Sequence, residues 1–555
     1  MLLLAGVSSA SPRAAPTTLV WFGPLPNDWP AGVTGPDFSY VGSKDFMALF
    51  KPGAPWRRAA RGVKIFALDQ TWLESRPVSP SRLKLIVTDL KRRHMDLALE
   101  ALGLPAEVPS DCGFGIEGFA GPESVPPLAS AIKNAGGTLR YVVFDHPYDY
   151  GHVYAGPNAC RWSPERVARE LGKFVRLYRR YFPNVAVGDN ETVQTQPQEL
   201  ATWLDTYKRV NRTPLNFIHL DTDFTRPRWA AEAHELENLA RARGVRFGII
   251  YYGGYGRHSD EDWTQASEQR FVEYELEQGL RPDDAVFESW EDPPDYVLPE
   301  TKPATFTWLI DRYLRPRPSL TLQTSGGTTS GRLARRNGQP LPGQPIELTA
   351  TPLDGPGSYN EYMLTGTVPG DARIAIVGYR VNTECDCSGA ADFTLYESRY
   401  QENGGPNRVP NARFDSGLDG WGIFGDATMQ LEPSERSGQA LHVTAAPGQV
   451  GGINGAAFPV TPGARFTITF AARVAPSSVG SGYFAAIFLG ATPDTEVSRG
   501  IVNFAVATTS LGTATTNAQG AFSLPFPALP SASYLVQAWF RGANTLFPAY
   551  AAVRG

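Results

Sequence analysis

The chain has 555 residues, more than one hydrophobic core holds, so roughly two to four domains are expected. Lys plus Arg (51) against Asp plus Glu (56) leaves a net charge of −5, which gives no basic footprint for nucleic acid. No run of about 18 apolar residues occurs, so no segment reads as a membrane span.

In chain order, residues 1–17 read as the end of a signal peptide. They hold a short apolar run, Leu2-Leu3-Leu4, and a small-x-Ala pattern at Ser8-Ser9-Ala10. The positive n-region is missing, so the true start is expected upstream; the competing reading is an unordered N-terminus. A low charged fraction of 19%, with 55 Gly and 47 Pro, suits a secreted or periplasmic protein with many turns.

Eight short apolar segments follow, at 18–23, 63–69, 97–100, 141–145, 185–191, 217–223, 247–252 and 285–290. Continuous apolar runs mark parallel strands buried on both faces. Helical patterns lie between and after them at 81–93, 124–135, 163–181, 197–211, 228–243, 260–278 and 302–313. Ser163-Pro164-Glu165 opens one with a cap, a first-turn proline and an acid; Gly136-Gly137 closes another. The alternation fits a closed (β/α)8 barrel or an open sheet. Nearly all the segments end in a carboxylate or an aromatic, as the catalytic end of a barrel does. A (β/α)8 TIM barrel over 18–314 is therefore expected, with 108–119 as a long loop on the catalytic face.

Cys112 and Cys160 follow the third and fourth strands, and in an exported chain they are expected to form a disulfide. Cys385-Asp386-Cys387 is a second pair, with no further ligands near it for zinc.

Arg315-Pro316-Arg317-Pro318 reads as a stiff linker, after which short strands and turn residues predict β-sandwich domains. The hairpins around Ser330–Leu333 and Gly338–Leu348 resemble the first half of an immunoglobulin-like or transthyretin-like domain. The second half of that pattern appears only at Thr516–Phe522 and Tyr534–Phe540. Between them, Val409-Pro410-Asn411 through Asp419-Gly420-Trp421 resembles the opening of a jelly-roll carbohydrate-binding module. The resemblance implies a discontinuous immunoglobulin-like domain, 319–352 plus 505–555, with a jelly roll at 353–504 inserted in it.

The acids at the strand ends carry the functional reading. Asn190-Glu191 resembles the acid/base motif of the large retaining (β/α)8 glycosidase clan, although that clan has it on strand four and here it ends strand five. The resemblance makes Glu191 the general acid, with Asp189 on the same side of the strand raising its pKa. Asp145 and Asp221 end strands four and six, where some α-retaining barrel glycosidases carry nucleophile and acid/base, so either is the candidate partner. Glu288 ends strand eight as a further catalytic candidate. Asp69, Glu100, Glu117, His146, Asp189 and Asp223 are candidate substrate ligands, and Trp72, Tyr251, Tyr252, Tyr255 and Trp290 candidate sugar platforms. The competing readings are a salt-bridged turn pair for Asp189 and Glu191, a cap of the Thr225-Arg226-Pro227 turn for Asp221 or Asp223, and core packing for each aromatic.

No Gly-rich phosphate loop, G-x-S-x-G elbow or H-E-x-x-H motif is present, and no cofactor is expected. An oxygen-rich ring also suits calcium or magnesium; seven His make an imidazole-rich site less fitting. The expectation is a secreted, monomeric glycoside hydrolase cleaving a polysaccharide with two carboxylates. Its rivals are a non-catalytic carbohydrate-binding protein, which binds without turnover, and a metal-dependent isomerase or lyase, which a chelator stops.

Overall fold

The computed structural model describes residues 18–27, 42–75, 78–106, 112–193, 196–224, 226, 228–254, 257, 259–290, 293–355, 359–381, 389–434, 438–479, 481–490, 496–526, 533–543 and 545–555. The leader at 1–17, Tyr255, the turn residues Thr225 and Pro227, and the Cys385-Asp386-Cys387 pair lie outside them. The chain divides into two compact units, Met1–Arg315 and Pro316–Gly555.

The first unit is a closed eight-stranded parallel barrel. Its strands are β1 (Leu19–Pro24), β2 (Val63–Asp69), β3 (Asp96–Ala101), β4 (Leu139–Asp145), β5 (Ala186–Glu191), β6 (Phe217–Leu220), β7 (Arg246–Ile250) and β8 (Asp284–Ser289). Each pairs with the next, and β8 closes on β1 with Gly23 opposite Glu288. Long helices follow, among them Pro164–Tyr181, Pro197–Asn211 and Asp260–Val272, the last running on into a π-helical turn, Glu273–Glu277. The helices Arg57–Gly62 and Gln70–Ser75 are six residues each, too short to show a 3.6-residue period in sequence.

Successive side chains alternate between the barrel interior and the helix layer. Contacts between strands that are not neighbours fix which set faces in. Trp21 of β1 lies 5.0 Å from Tyr141 of β4 and 4.8 Å from His219 of β6, ring centre to ring centre, so these three fill the barrel floor. His219 also stands 3.4 Å from Asp284, which pairs with Arg246. Two residues on from each inward position lies another, and this sets Gly23, Asp145 and Asp221 over the floor. The outward set packs on helices: Phe144 against Tyr178 at 6.2 Å, Tyr251 against Phe271 at 5.9 Å.

The segment expected as a strand over 217–223 ends its pairing at Leu220, so Asp221, Thr222 and Asp223 stand in the loop beyond β6. The loops after β3 and β4 are joined by a disulfide, Cys112–Cys160.

The second unit is antiparallel throughout. One sheet runs Ala521–Pro525, Thr328–Ala334, Ser319–Ser325; another runs Thr509–Thr515, Pro345–Pro352, Tyr534–Phe540, Ala549–Arg554. Leu333, Ile346, Leu348, Phe522, Ala538 and Phe540 share one apolar core, although more than two hundred residues separate its ends. Two further sheets, built from strands between Tyr359 and Asn503, enclose a separate core around Tyr379, Phe393, Phe466 and Phe484. Among the described residues, no helix is long and apolar enough to cross a membrane.

Candidate active site

A cavity of about 760 Å³ opens over the C-terminal ends of the barrel strands. Seven carboxylates line it: Asp69, Glu100, Glu117, Asp145, Asp221, Asp223 and Glu288. Each arrives by a local route. Asp69 and Glu100 are register partners on β2 and β3, and Asp145 sits beside Asn190 on β4 and β5. Glu288 has room because its register partner is Gly23, where a Cβ would stand 2.7 Å from the Glu288 Oε1. Glu117 comes from the loop held by Cys112. The next residue, Gly118, has φ +81°, and a Cβ there would lie 2.6 Å from the Asp145 carbonyl oxygen.

His146 is the hinge of the arrangement. Its φ of 41° is left-handed, a conformation a non-glycine residue holds only when its surroundings force it. Its ring stacks on Tyr150 at 5.6 Å, and its Nε2 lies 3.6 Å from Asp145 and 3.7 Å from Asp221. The two carboxylates thus approach the same imidazole nitrogen. Tyr150 donates its hydroxyl to Glu117 at 3.0 Å. Tyr252 and Trp290, rings 4.7 Å apart, form an aromatic wall.

Burial dominates the ionisation of this ring. It pushes Asp69 and Glu117 up to about 7, the latter helped by Asp145 and opposed by His146. It pushes Glu288 up to about 8. Glu100 is held well above the usual range by burial and then by Glu288, to which it is hydrogen-bonded. Asp145 is held well above that range by burial, then Glu100, Asp69 and Asp221. Burial also raises Asp221, but there the largest neighbouring charge, His146, pulls the other way.

The structure brings Asp69, Glu100, Glu117, Asp145, His146, Asp221, Asp223, Tyr252, Glu288 and Trp290 to this one cavity. It does not bring Glu191, Asp189, Trp72 or Tyr251 there. Glu191 and Asp189 share a side of β5, and that side faces the helices; both are fully buried. Glu191 accepts the backbone N–H of Tyr148 at 2.7 Å and of Asp149 at 3.0 Å, capping the π-helical turn Asp149–Val153. Asp189 accepts the Trp203 indole N–H at 2.7 Å, and Trp203 stacks on Tyr148 at 5.1 Å. Of the Asn190-Glu191 motif, it is Asn190 that faces the cavity. Trp72 packs on Phe46 in the helix layer, and Tyr251 donates its hydroxyl to Glu275 at 3.1 Å on the outer side of the barrel.

Tyr150, Tyr154, Arg257 and Arg270 also line the cavity and carried no mark in the sequence reading. The two tyrosines are four residues apart, so they stand close on the turn that Glu191 caps; that spacing inside a loop after a strand was the available signal. Among the described residues, no three His, Cys, Asp or Glu side chains are gathered to hold a metal ion.

No protein-family model matches the chain, and no curated protein matches it by sequence. Solved structures resemble it only loosely. A family 30 endoxylanase from Clostridium papyrosolvens C71 is 9% identical, with 82% of this chain and 97% of that one covered and a TM-score of 0.32. A family 10 endoxylanase from a sugarcane soil metagenome is 10% identical, with 53% of this chain and 96% of that one covered and a TM-score of 0.33. A fungal β-1,4-galactanase is 9% identical, with 47% of this chain and 90% of that one covered and a TM-score of 0.34. Likeness at this level carries no argument about chemistry.

Proposed function

We propose that the barrel is a glycoside hydrolase that cleaves a polysaccharide, with Asp145 and Asp221 as the working carboxylates. The observation that carries this is their shared approach to the His146 Nε2, in a cavity walled by acids and aromatics. Glycoside hydrolysis needs one carboxyl that holds its proton for the leaving oxygen and one that is ionised. The environments divide these tasks. Burial and the charges of Glu100, Asp69 and Asp221 favour the protonated form of Asp145 and outweigh its hydrogen bond with Glu117, which suits a proton donor. His146 favours the ionised form of Asp221, which suits the nucleophile or the base that directs water. Tyr252 and Trp290 offer ring faces against which a pyranose stacks, and Glu288 and Glu100 lie within the same wall as hydroxyl ligands.

In the second unit, we assign 319–352 and 505–555 to one immunoglobulin-like domain and 353–504 to an inserted jelly roll that holds the enzyme near polymer. Support comes from the pairing of Glu347–Pro352 with Tyr534–Trp539 and from the separate core of the insert. Tethering of this kind raises local concentration without new catalytic contacts. Excision of 353–504 should leave the remaining segments soluble and cooperative in melting; aggregation of that variant argues against the nested assignment.

The deciding experiment is a polysaccharide panel with product analysis. New reducing ends from one polymer, lost in Asp145→Asn and Asp221→Asn, support the proposal, and the anomer formed first reports retention or inversion. Saturable binding with no cleavage of any polymer supports the rival, a carbohydrate-binding barrel.

A further inference from the structure

The cavity wall is unbalanced in two ways. Its seven carboxylates face two arginines and one histidine. The basic groups are also unevenly placed: His146 lies close to Asp145 and Asp221, while Arg270 lies near Asp223. Asp69, Glu100 and Glu288 have no cationic partner among the described residues. Buried carboxylates without a countercharge are costly, and the imbalance is relieved by protons or by a bound cation.

The hydrogen-bond inventory points the same way. Three of the wall's hydroxyls are spent on the protein itself: Tyr150 on Glu117 at 3.0 Å, Tyr252 on the Thr222 carbonyl at 3.3 Å, and Thr222 on the Leu220 carbonyl at 3.4 Å. Asn190 gives its amide N–H to Glu100 at 2.8 Å. Its Oδ1 is left without a partner although the residue is 2% exposed and lines the cavity. A buried, unpartnered acceptor beside three carboxylates awaits a donor from the ligand. A neutral sugar brings hydroxyls that donate and accept alike. A uronate brings a negative charge into a negative wall. An ammonium brings three donors and a positive charge.

We propose that the cavity binds a glycan carrying free amino groups, a hexosamine polymer or oligomer, with the ammonium received by Glu100, Glu288 and Asp69 beside the Asn190 carbonyl oxygen. This rests on the glycoside hydrolase reading and narrows its substrate class. At the amine subsite the three carboxylates become ionised as the cation enters, since each is raised by burial and by its acidic neighbours alone or chiefly.

The test compares short glucosamine and galactosamine oligosaccharides with their fully N-acetylated forms, with xylan and galactan, and with polygalacturonate, for both cleavage and calorimetric binding. The free-amine form should be preferred over its N-acetylated twin by at least about tenfold in kcat/KM or Kd, the scale of a charged hydrogen bond. The preference should shrink with added salt. Glu100→Gln should raise KM for the amine form with little change in kcat, and Asp69→Asn serves as the second variant should the first not fold. Equal or better cleavage of an N-acetylated or neutral polymer overturns the amine assignment and leaves the hydrolase reading standing. Binding of the amine form without cleavage of anything does the reverse. A preference that EDTA abolishes and calcium restores assigns the three carboxylates to a metal and overturns the proposal.

Discussion

Two sets of carboxylates stand near the C-terminal ends of the barrel strands, on opposite faces of the sheet, and they do opposite work. Asp145, Glu100 and Glu288 face inward, and their charges raise one another's pKa. Glu191 and Asp189 face outward, and each accepts strong N–H donors from the β4 loop or the helix behind it. Burial alone does not separate the sets, because both are buried and both are raised. What separates Glu191 is satisfaction: both of its oxygens accept backbone N–H groups, whereas Asp189 has one oxygen bonded to the Trp203 indole and the other without a partner. A carboxylate whose oxygens are already bonded to backbone or indole N–H holds the scaffold, and one left facing a cavity is available to a ligand.

The largest expected effect breaks the inward set. Asp145→Asn should lower turnover by about 10²- to 10⁴-fold, the usual worth of general acid catalysis. Its thermal midpoint should hold or rise at pH 8, because a carboxyl crowded by Glu100, Asp69 and Asp221 has been neutralised. Steady-state kinetics and calorimetry on one preparation check both halves.

Next comes the loop that delivers an inward acid without a strand. The Cys112–Cys160 bridge closes 48 residues, so replacing both cysteines by serine removes up to about 4 kcal/mol of loop-closure stabilisation. The loss should appear as faster proteolysis around 112–119 and a raised KM, since Glu117 rides on that loop. An unchanged cleavage pattern would detach the bridge from the site.

A smaller effect is expected on the outward side. Glu191→Gln swaps one acceptor oxygen for an NH2 group facing a backbone N–H, at a cost of about 1–3 kcal/mol. Turnover should fall by less than about tenfold, through a looser Tyr150 and Tyr154. Full stability with lost turnover would return Glu191 to the chemistry.

The smallest effect sharpens the contrast between the cavity and the floor beneath it. Asp69 and Glu117 at about 7 and Glu288 at about 8 lie above their unfolded values, so the stability they contribute is full at low pH and is lost as pH rises through about 7–8. On the floor the shifts run downward. Burial lowers His219, while His219 and then Arg246 hold Asp284 down against its own burial. Those contributions are present above the unfolded values of 6.5 and 3.8 and are lost as pH falls through the folded ones. The thermal midpoint should therefore decline on both sides of a maximum, with Glu288→Gln flattening the alkaline side only.

Much of the barrel was legible because parallel strands announce themselves as apolar runs, and nine of the candidate residues reach one cavity because those runs end in polar or aromatic groups at one end of the barrel, the tenth, Glu117, arriving on the loop after β3. The phase of each run was harder to read. A strand covered on both faces has apolar residues at every position, so hydrophobicity does not say which way Asp189, Asn190 and Glu191 point. A cue did exist in Gly188. Its inward position leaves space for the Phe217 ring, which a Cβ there would meet at 2.4 Å, and two residues on from Gly188 is Asn190. The same ambiguity covers Tyr251 and Tyr252 just beyond β7, of which Tyr252 lines the cavity and Tyr251 bonds Glu275 on the outer side. Trp72 was misplaced for another reason: the short helix Gln70–Ser75 turns it away from the Asp69 side chain, which accepts its backbone N–H at 2.6 Å.

The direct test of the account is a paired measurement on whichever glycan the wild type cleaves: turnover and thermal midpoint for Asp145→Asn and Glu191→Gln side by side. The account predicts that the first loses turnover by at least about a hundredfold and keeps its midpoint, while the second loses midpoint and keeps turnover within about tenfold. The opposite pairing, with Glu191→Gln stable and inactive and Asp145→Asn active, would contradict it.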